Sequence, residues 1–184
     1  VIYHSVSEIY DALEATRERF LSSLVCVTEQ QATFRPAPDR WTIAELVEHV
    51  GAVERGSLRL FEKMLARAEQ AGLRRAPSAP FEPVSVAEHV ERSRHEKYKA
   101  PEMVRPTGAV SLGDALAIMR EARAALVSLR PRFEEYDCAS LSFPHPVLGP
   151  LDLYQWLAFV GVHEQRHIAQ IEAVKSAPGF AAAN

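Results

Sequence analysis

Cysteine is scarce in this chain. Its 184 residues hold two, Cys26 and Cys138, far apart and in no C-x-x-C spacing. That excludes a disulfide-stapled fold and reads as free thiols in a reducing compartment, with the cytoplasm as the default. No apolar run approaches the roughly 20 residues of a membrane span, so no membrane association is expected. The opening Val1-Ile2-Tyr3-His4-Ser5 lacks a basic region followed by a long apolar core, so no signal peptide is read there. Val1 is not Met, so the start is processed, trimmed or a matter of numbering. No block of like charges stands out, and the net charge is −3. That argues against nucleic acid as a partner. Internal repeats, low-complexity segments and convincing strand alternation are also missing.

What the chain has is helical periodicity. Apolar residues make up 47% and charged residues 24%, the balance of a globular protein large enough to bury one core. A first helix is expected from Ser5, with Glu8 in capping-box position, to about Gln30, carrying Ile9, Leu13, Phe20, Leu24 and Val27. Two prolines in Arg35–Arg40 end the pattern. Thr42 and Glu45 form a second capping box. It opens a helix to about Ala71, stopped by Gly72. Leu46, His49, Val50, Val53, Ser57, Leu60 and Met64 share one side of it.

Leu73 to Gly108 is a long connection with five prolines. A short helix is expected within Val84–Lys97, with His89 and His95 on solvated surface. A third helix starts at Ser111 and should end at Pro131. Phe143–Pro150 reads as a stiff turn-rich loop, and Asp152 with Gln155 caps a fourth helix to about Ser176. Residues 177–184 read as a fraying tail behind a single domain, 1–176. The expectation is an all-α four-helix bundle with a long 2–3 crossover, short flanking loops and the crossover of an up-up-down-down chain.

The fourth helix carries His163-Glu164-Gln165-Arg166-His167. At 100° per residue the two imidazoles lie about 40° apart on one face. Trp156, Phe159, Gln170 and Val174 share that face, so the histidines interrupt a core-facing stripe. Inward imidazoles one turn apart need hydrogen-bond partners or a metal.

Three readings compete. As an HExxH zinc peptidase, Glu164 would be the general base. Its context is poor, because Glu172 is the sole acidic residue after His167 that could complete the site. A di-iron carboxylate bundle needs two Glu-x-x-His pairs. Glu164 and His167 form one, but Leu46 stands where His49 would need its partner Glu. The third reading joins His163 and His167 to His49 on the second helix, leaving open positions on the metal, the catalytic pattern rather than the closed structural one.

At this point the sequence resembles a known family. Trp41-Thr42-Ile43-Ala44-Glu45-Leu46-Val47-Glu48-His49-Val50 is similar to the helix-2 signature of the DinB-like metal-binding four-helix-bundle superfamily. His145-Pro146-Val147-Leu148-Gly149-Pro150-Leu151-Asp152-Leu153, then Trp156, then His163 to Ile171, is similar to its helix-4 signature. The resemblance implies a divalent metal (Zn, Ni, Fe or Mn) held by His49, His163 and His167, often in a homodimer. It also implies thiol S-transferase or hydrolase chemistry on a small-molecule substrate, with a low-molecular-weight thiol as one candidate cosubstrate. The rival is a protein that captures metal or a small molecule without catalysis.

Around the triad, Gln170 is placed to contact a bound water or a backbone group. Glu164 and Arg166 flank the site at about 80° by the same helical count, either orienting ligands or forming surface pairs. His145, at the mouth of the fourth helix, borders the pocket or serves only as a turn residue, the second being favoured. Cys26 and Cys138 sit on segments without a ligand, so the nucleophile is expected from the metal.

Overall fold

The computed structural model describes residues 1–76, 78–93 and 99–183. In chain order its elements are α1 (Val6–Ser23), α2 (Glu29–Ala32), α3 (Ile43–Ala71), α4 (Ala87–Ser93), α5 (Leu112–Ser128), α6 (Arg130–Glu135), β1 (Ser142–His145), β2 (Gly149–Asp152) and α7 (Leu153–Lys175). Helices α1, α3, α5 and α7 form a four-helix bundle. Capping chemistry sets most of the starts. Thr42 with Glu45 and Asp152 with Gln155 each close both halves of a capping box, and Ser5 and Ser111 accept a backbone N–H three residues on. Gly72 ends α3 in the left-handed conformation, φ 66°.

Cross-helix pairs fix the directions. Leu13 meets Gly161 and Ser23 meets Lys175, so α1 and α7 run together. Gly51 meets Met119 and Glu54 meets Arg123, so α3 and α5 run together. Arg17 meets Met119 and Tyr10 meets Leu126, so α1 opposes α5. The order is therefore up-down-down-up rather than up-up-down-down. A single long crossover, α3 to α5, permits one parallel pair of successive helices.

The linkers hold more structure than their composition announces. The first helix stops at Ser23, not Gln30; Cys26 at φ 65° turns the chain, and Thr28 with Gln31 caps the separate α2. Pro131 follows the end of α5 as expected, but it sits in the first turn of α6, where its missing N–H is harmless. Phe143–Pro150 is no plain loop: Ser142–His145 pairs antiparallel with Gly149–Asp152, with Pro144 opposite Pro150. In the crossover α4 is present, while His95 lies outside the described residues. His89 is half-buried and bonds through Nδ1 to the Leu148 carbonyl at 3.1 Å, so it is not simply solvated. The tail is anchored instead of fraying throughout, because Phe180 is buried edge-on to Phe34.

The core comes in two apolar clusters. One gathers Ile9, Tyr10, Leu13, Phe61, Met64, Leu126, Phe133, Trp156, Leu157 and Phe159. The other gathers Phe20, Leu24, Ile43, Leu46, Val47, Val50, Ala115, Met119, Ile171 and Val174. On every bundle helix the change from one cluster to the other passes through buried or half-buried polar residues. They include Arg17 on α1, His49 and Glu54 on α3, Arg123 on α5, and His163, Glu164 and His167 on α7. A polar belt therefore crosses the bundle at mid-height.

Candidate metal centre

One half of the belt holds the three histidines that the sequence singled out. His49 comes from α3; His163 and His167 come from α7, one turn apart. Nε2 of His163 lies 3.2 Å from Nε2 of His49 and 3.1 Å from Nε2 of His167. One ligand atom from each of the three lies within 4.8 Å of the others. Two nitrogens bound at about 2.0–2.1 Å to one tetrahedral zinc stand about 3.3 Å apart, close to both of these distances.

The outward nitrogens decide what the inward ones can be. His49 Nδ1 lies 2.7 Å from the Val104 carbonyl, which can only accept, so Nδ1 carries the hydrogen. His167 Nδ1 lies 2.6 Å from Gln170 Oε1 and donates to it in the same way. A neutral imidazole with hydrogen on Nδ1 has a bare lone pair on Nε2. Nε2 of His163 has at most one hydrogen to share between two such lone pairs. One contact of 3.1–3.2 Å is therefore lone pair against lone pair.

Protonation does not relieve this. Burial lowers the pKa of His49 and takes His167 down to about 3. It takes His163 well below the usual value, and His167, His49 and Arg166 push it further the same way. A cation other than a proton fits the donor set.

Around the triad the walls are aromatic. The Trp41 ring lies 4.8 Å from that of His49, and Phe159 lies 5.5 Å from His163. Phe159 continues to His145 at 4.4 Å, and Trp156 lies 4.8 Å from His145.

A family model described as the DinB superfamily matches residues 12–171. The chain belongs to the DinB superfamily. It is similar to the "Uncharacterized protein YuaE" of Bacillus subtilis (strain 168), 24% identical over 154 residues, 81% of this chain and 86% of that protein. It is also similar to a solved structure, TT2238, described as a four-helix bundle protein. The TM-score is 0.60 at 22% identity, covering 92% of this chain and 99% of the other. That likeness shows the fold alone. Members of the DinB superfamily are generally metal-binding.

The remaining candidates of this DinB-superfamily chain fall differently. Gln170 accepts from His167 Nδ1 and so fixes the His167 tautomer. His145 ends β1 at the turn into β2, where its Nδ1 accepts the N–H groups of Val147 and Leu148 at 3.1 and 3.0 Å. Burial holds its pKa at about 4, and its ring still joins the wall. Arg166 is exposed, with no ion pair among the described residues, and only its charge reaches His163 and His167.

Glu164 is the clear correction. It neither orients a histidine nor forms a surface pair. It is 1% exposed and faces the other half of the belt. Arg17 Nε donates to its Oε1 at 2.5 Å and Arg123 Nη2 to its Oε2 at 3.1 Å. Glu54 accepts from the same two arginines, Arg123 Nε at 2.7 Å and Arg17 Nη2. Two guanidiniums and two carboxylates thus alternate in a closed ring of zero net charge. Burial pushes the Glu164 carboxyl up, and the guanidiniums oppose it. For Arg123 burial disfavours the charge, but Glu54 and Glu164 outweigh it and raise its pKa. With both oxygens engaged, Glu164 is no free general base, and the peptidase reading loses its central residue.

Sequence reasoning missed Arg17, Glu54 and Arg123. A signal existed. Each sits at helical spacing within an apolar stripe: Leu13-Arg17-Phe20-Leu24, Val50-Glu54-Ser57-Phe61 and Met119-Arg123-Leu126.

Proposed function

We propose that this protein binds one divalent metal ion through Nε2 of His49, His163 and His167 and uses it on a small-molecule substrate. The observation that carries the reading is the set of inward nitrogens at 3.1–3.2 Å whose outer partners, Val104 and Gln170, commit hydrogens to the far side of two rings. Three neutral ligands leave positions open, as in catalytic rather than structural sites. A divalent ion there would supply positive charge that makes a water or a thiol more acidic. No carboxylate among the described residues joins the cluster to offset that charge. Thiol S-transfer, with a low-molecular-weight thiol, and hydrolysis are the two reactions that fit.

The protein's own thiols are poorly suited to the nucleophile's role. Burial pushes Cys138 up to about 12, and Cys26 lies on the turn after α1, which bears no ligand. Imidazole sites accept zinc, nickel, iron and manganese, so availability and geometry decide among them. Among the described residues no helix is long and apolar enough to cross a membrane.

The test is metal analysis of protein purified without an affinity tag, then a panel of esters, amides and thiol acceptors. Near-stoichiometric metal, with turnover lost to a chelator and restored by the ion, is the expected result. Bound metal with no turnover on any class would favour the capture protein instead. A metal-free protein that takes up none would end the metal reading.

A further inference from the structure

The acceptor that orients His49 is not on its own helix. It is the carbonyl of Val104, in a 3₁₀ turn (Glu102–Val104) of the crossover. No side chain of that turn is buried, and Met103 is 88% exposed. Val104 is only half-buried where the turn meets α3, so packing alone holds the carbonyl weakly. Among the described residues the stretch just after it is tied to α3 by one carboxylate. Glu48 Oε1 accepts the Thr107 N–H at 2.9 Å and the Thr107 hydroxyl at 2.7 Å, and Oε2 accepts the Gly108 N–H at 3.2 Å. Bonds to an ionised acceptor are stronger than neutral ones. Gly108 at φ 71° turns the chain so that its N–H meets Glu48. An added Cβ there would stand 3.2 Å from Glu45 Oε1, in a backbone conformation that disfavours any side chain.

We propose that Glu48 is a positioning residue for the candidate metal site. By clamping 107–108 onto α3 it holds the Val104 carbonyl over His49 and so keeps that imidazole in its Nδ1–H form, with Nε2 bare for the ion. The inference rests on the metal reading above. Glu48 and His49 are neighbours on α3, so clamp and ligand belong to one rigid element. Without the clamp the carbonyl is free to leave, Nδ1–H loses its acceptor, and part of the population carries the hydrogen on Nε2, where it blocks coordination.

The experiment compares wild type with Glu48→Ala, Glu48→Gln and Gly108→Ala. Nitrogen-15 spectra of the metal-free proteins read the His49 tautomer, and competition with a chelator reads Co²⁺ affinity. Wild type should show His49 as the Nδ1–H form. Glu48→Ala should show a mixture and bind Co²⁺ about 10–100-fold more weakly, with unchanged helical circular dichroism. Glu48→Gln keeps one oxygen for Thr107 but turns a donor toward Gly108, so it should fall between. Gly108→Ala should shift the tautomer in the same direction.

A Glu48→Ala protein with the wild-type tautomer and an affinity within about twofold of wild type would overturn the proposal. Loss of stability without a tautomer change would overturn it too, since that is the mark of a merely structural role. Should wild type bind no Co²⁺, the metal reading fails, while the tautomer comparison still decides whether Glu48 positions His49.

Discussion

The two halves of the polar belt differ in whether their hydrogen bonding closes on itself. Both lie at mid-height among apolar clusters, and both draw on α3 and α7. In the ring of Arg17, Glu54, Arg123 and Glu164, donors meet acceptors and charge sums to zero. In the triad, lone pairs face one another with no donor to spare. Buried polarity that closes on itself is architecture; buried polarity left unclosed is a place for something else. HExxH straddles the two, with His163 and His167 in the open half and Glu164 in the closed one.

Breaking the ring should have the largest effect. Glu164→Gln leaves two buried guanidiniums sharing Glu54 as their one buried carboxylate, with only the exposed Glu14 also on Arg123, and loss of a buried partner costs about 3–5 kcal/mol. Urea unfolding of the metal-free protein reads this, with His163→Ala as the control at a clearly smaller cost. Equal losses would mean that the halves are not different in kind.

The triad should matter to metal instead. His163→Ala should keep helical circular dichroism and abolish the thermal shift that added ion gives wild type, about 2.7 kcal/mol at a hundredfold excess over Kd. A wild type that unfolds when its metal is removed would make the site structural and undo the contrast.

The smallest effect is on pH. The folded protein holds His145 at about 4 and His167 at about 3, against the usual 6.5. Between about 6.5 and these values the unfolded chain binds more protons than the folded one. Stability of the metal-free protein should therefore fall as pH drops below about 6.5, the loss levelling off beneath the folded values. Melting temperatures from pH 7.5 to 5 check the sign, and His167→Ala should flatten the slope. An unchanged slope in that variant would show that His167 is not held neutral.

Much of this was legible in the chain. Thr42 with Glu45 and Asp152 with Gln155 announced the two helices that carry the triad, because caps act locally and leave local signatures. The i, i+4 spacing put His163 and His167 on one face, the apolar periodicity of the second helix put His49 at the edge of its inward side, and the family signature joined the three. The ring was harder. One charge in an apolar stripe looks like a residue at the stripe's edge until its opposite charges on two other helices are known. The hairpin hid because two paired prolines sit in four-residue strands, where proline argues against a strand. Val104 could not be read at all, since its contribution is a backbone carbonyl, which every residue has.

The ring has a consequence for how such a chain can change over generations. Its bonds tie α1, α3, α5 and α7 to one another at a single level. Each helix is thereby clocked about its axis where the triad also sits. The apolar ends above and below carry less of that duty. Exchange of one aliphatic residue for another there leaves the histidines facing as they do, so sequence can drift widely at both ends of the bundle while the centre keeps its alignment.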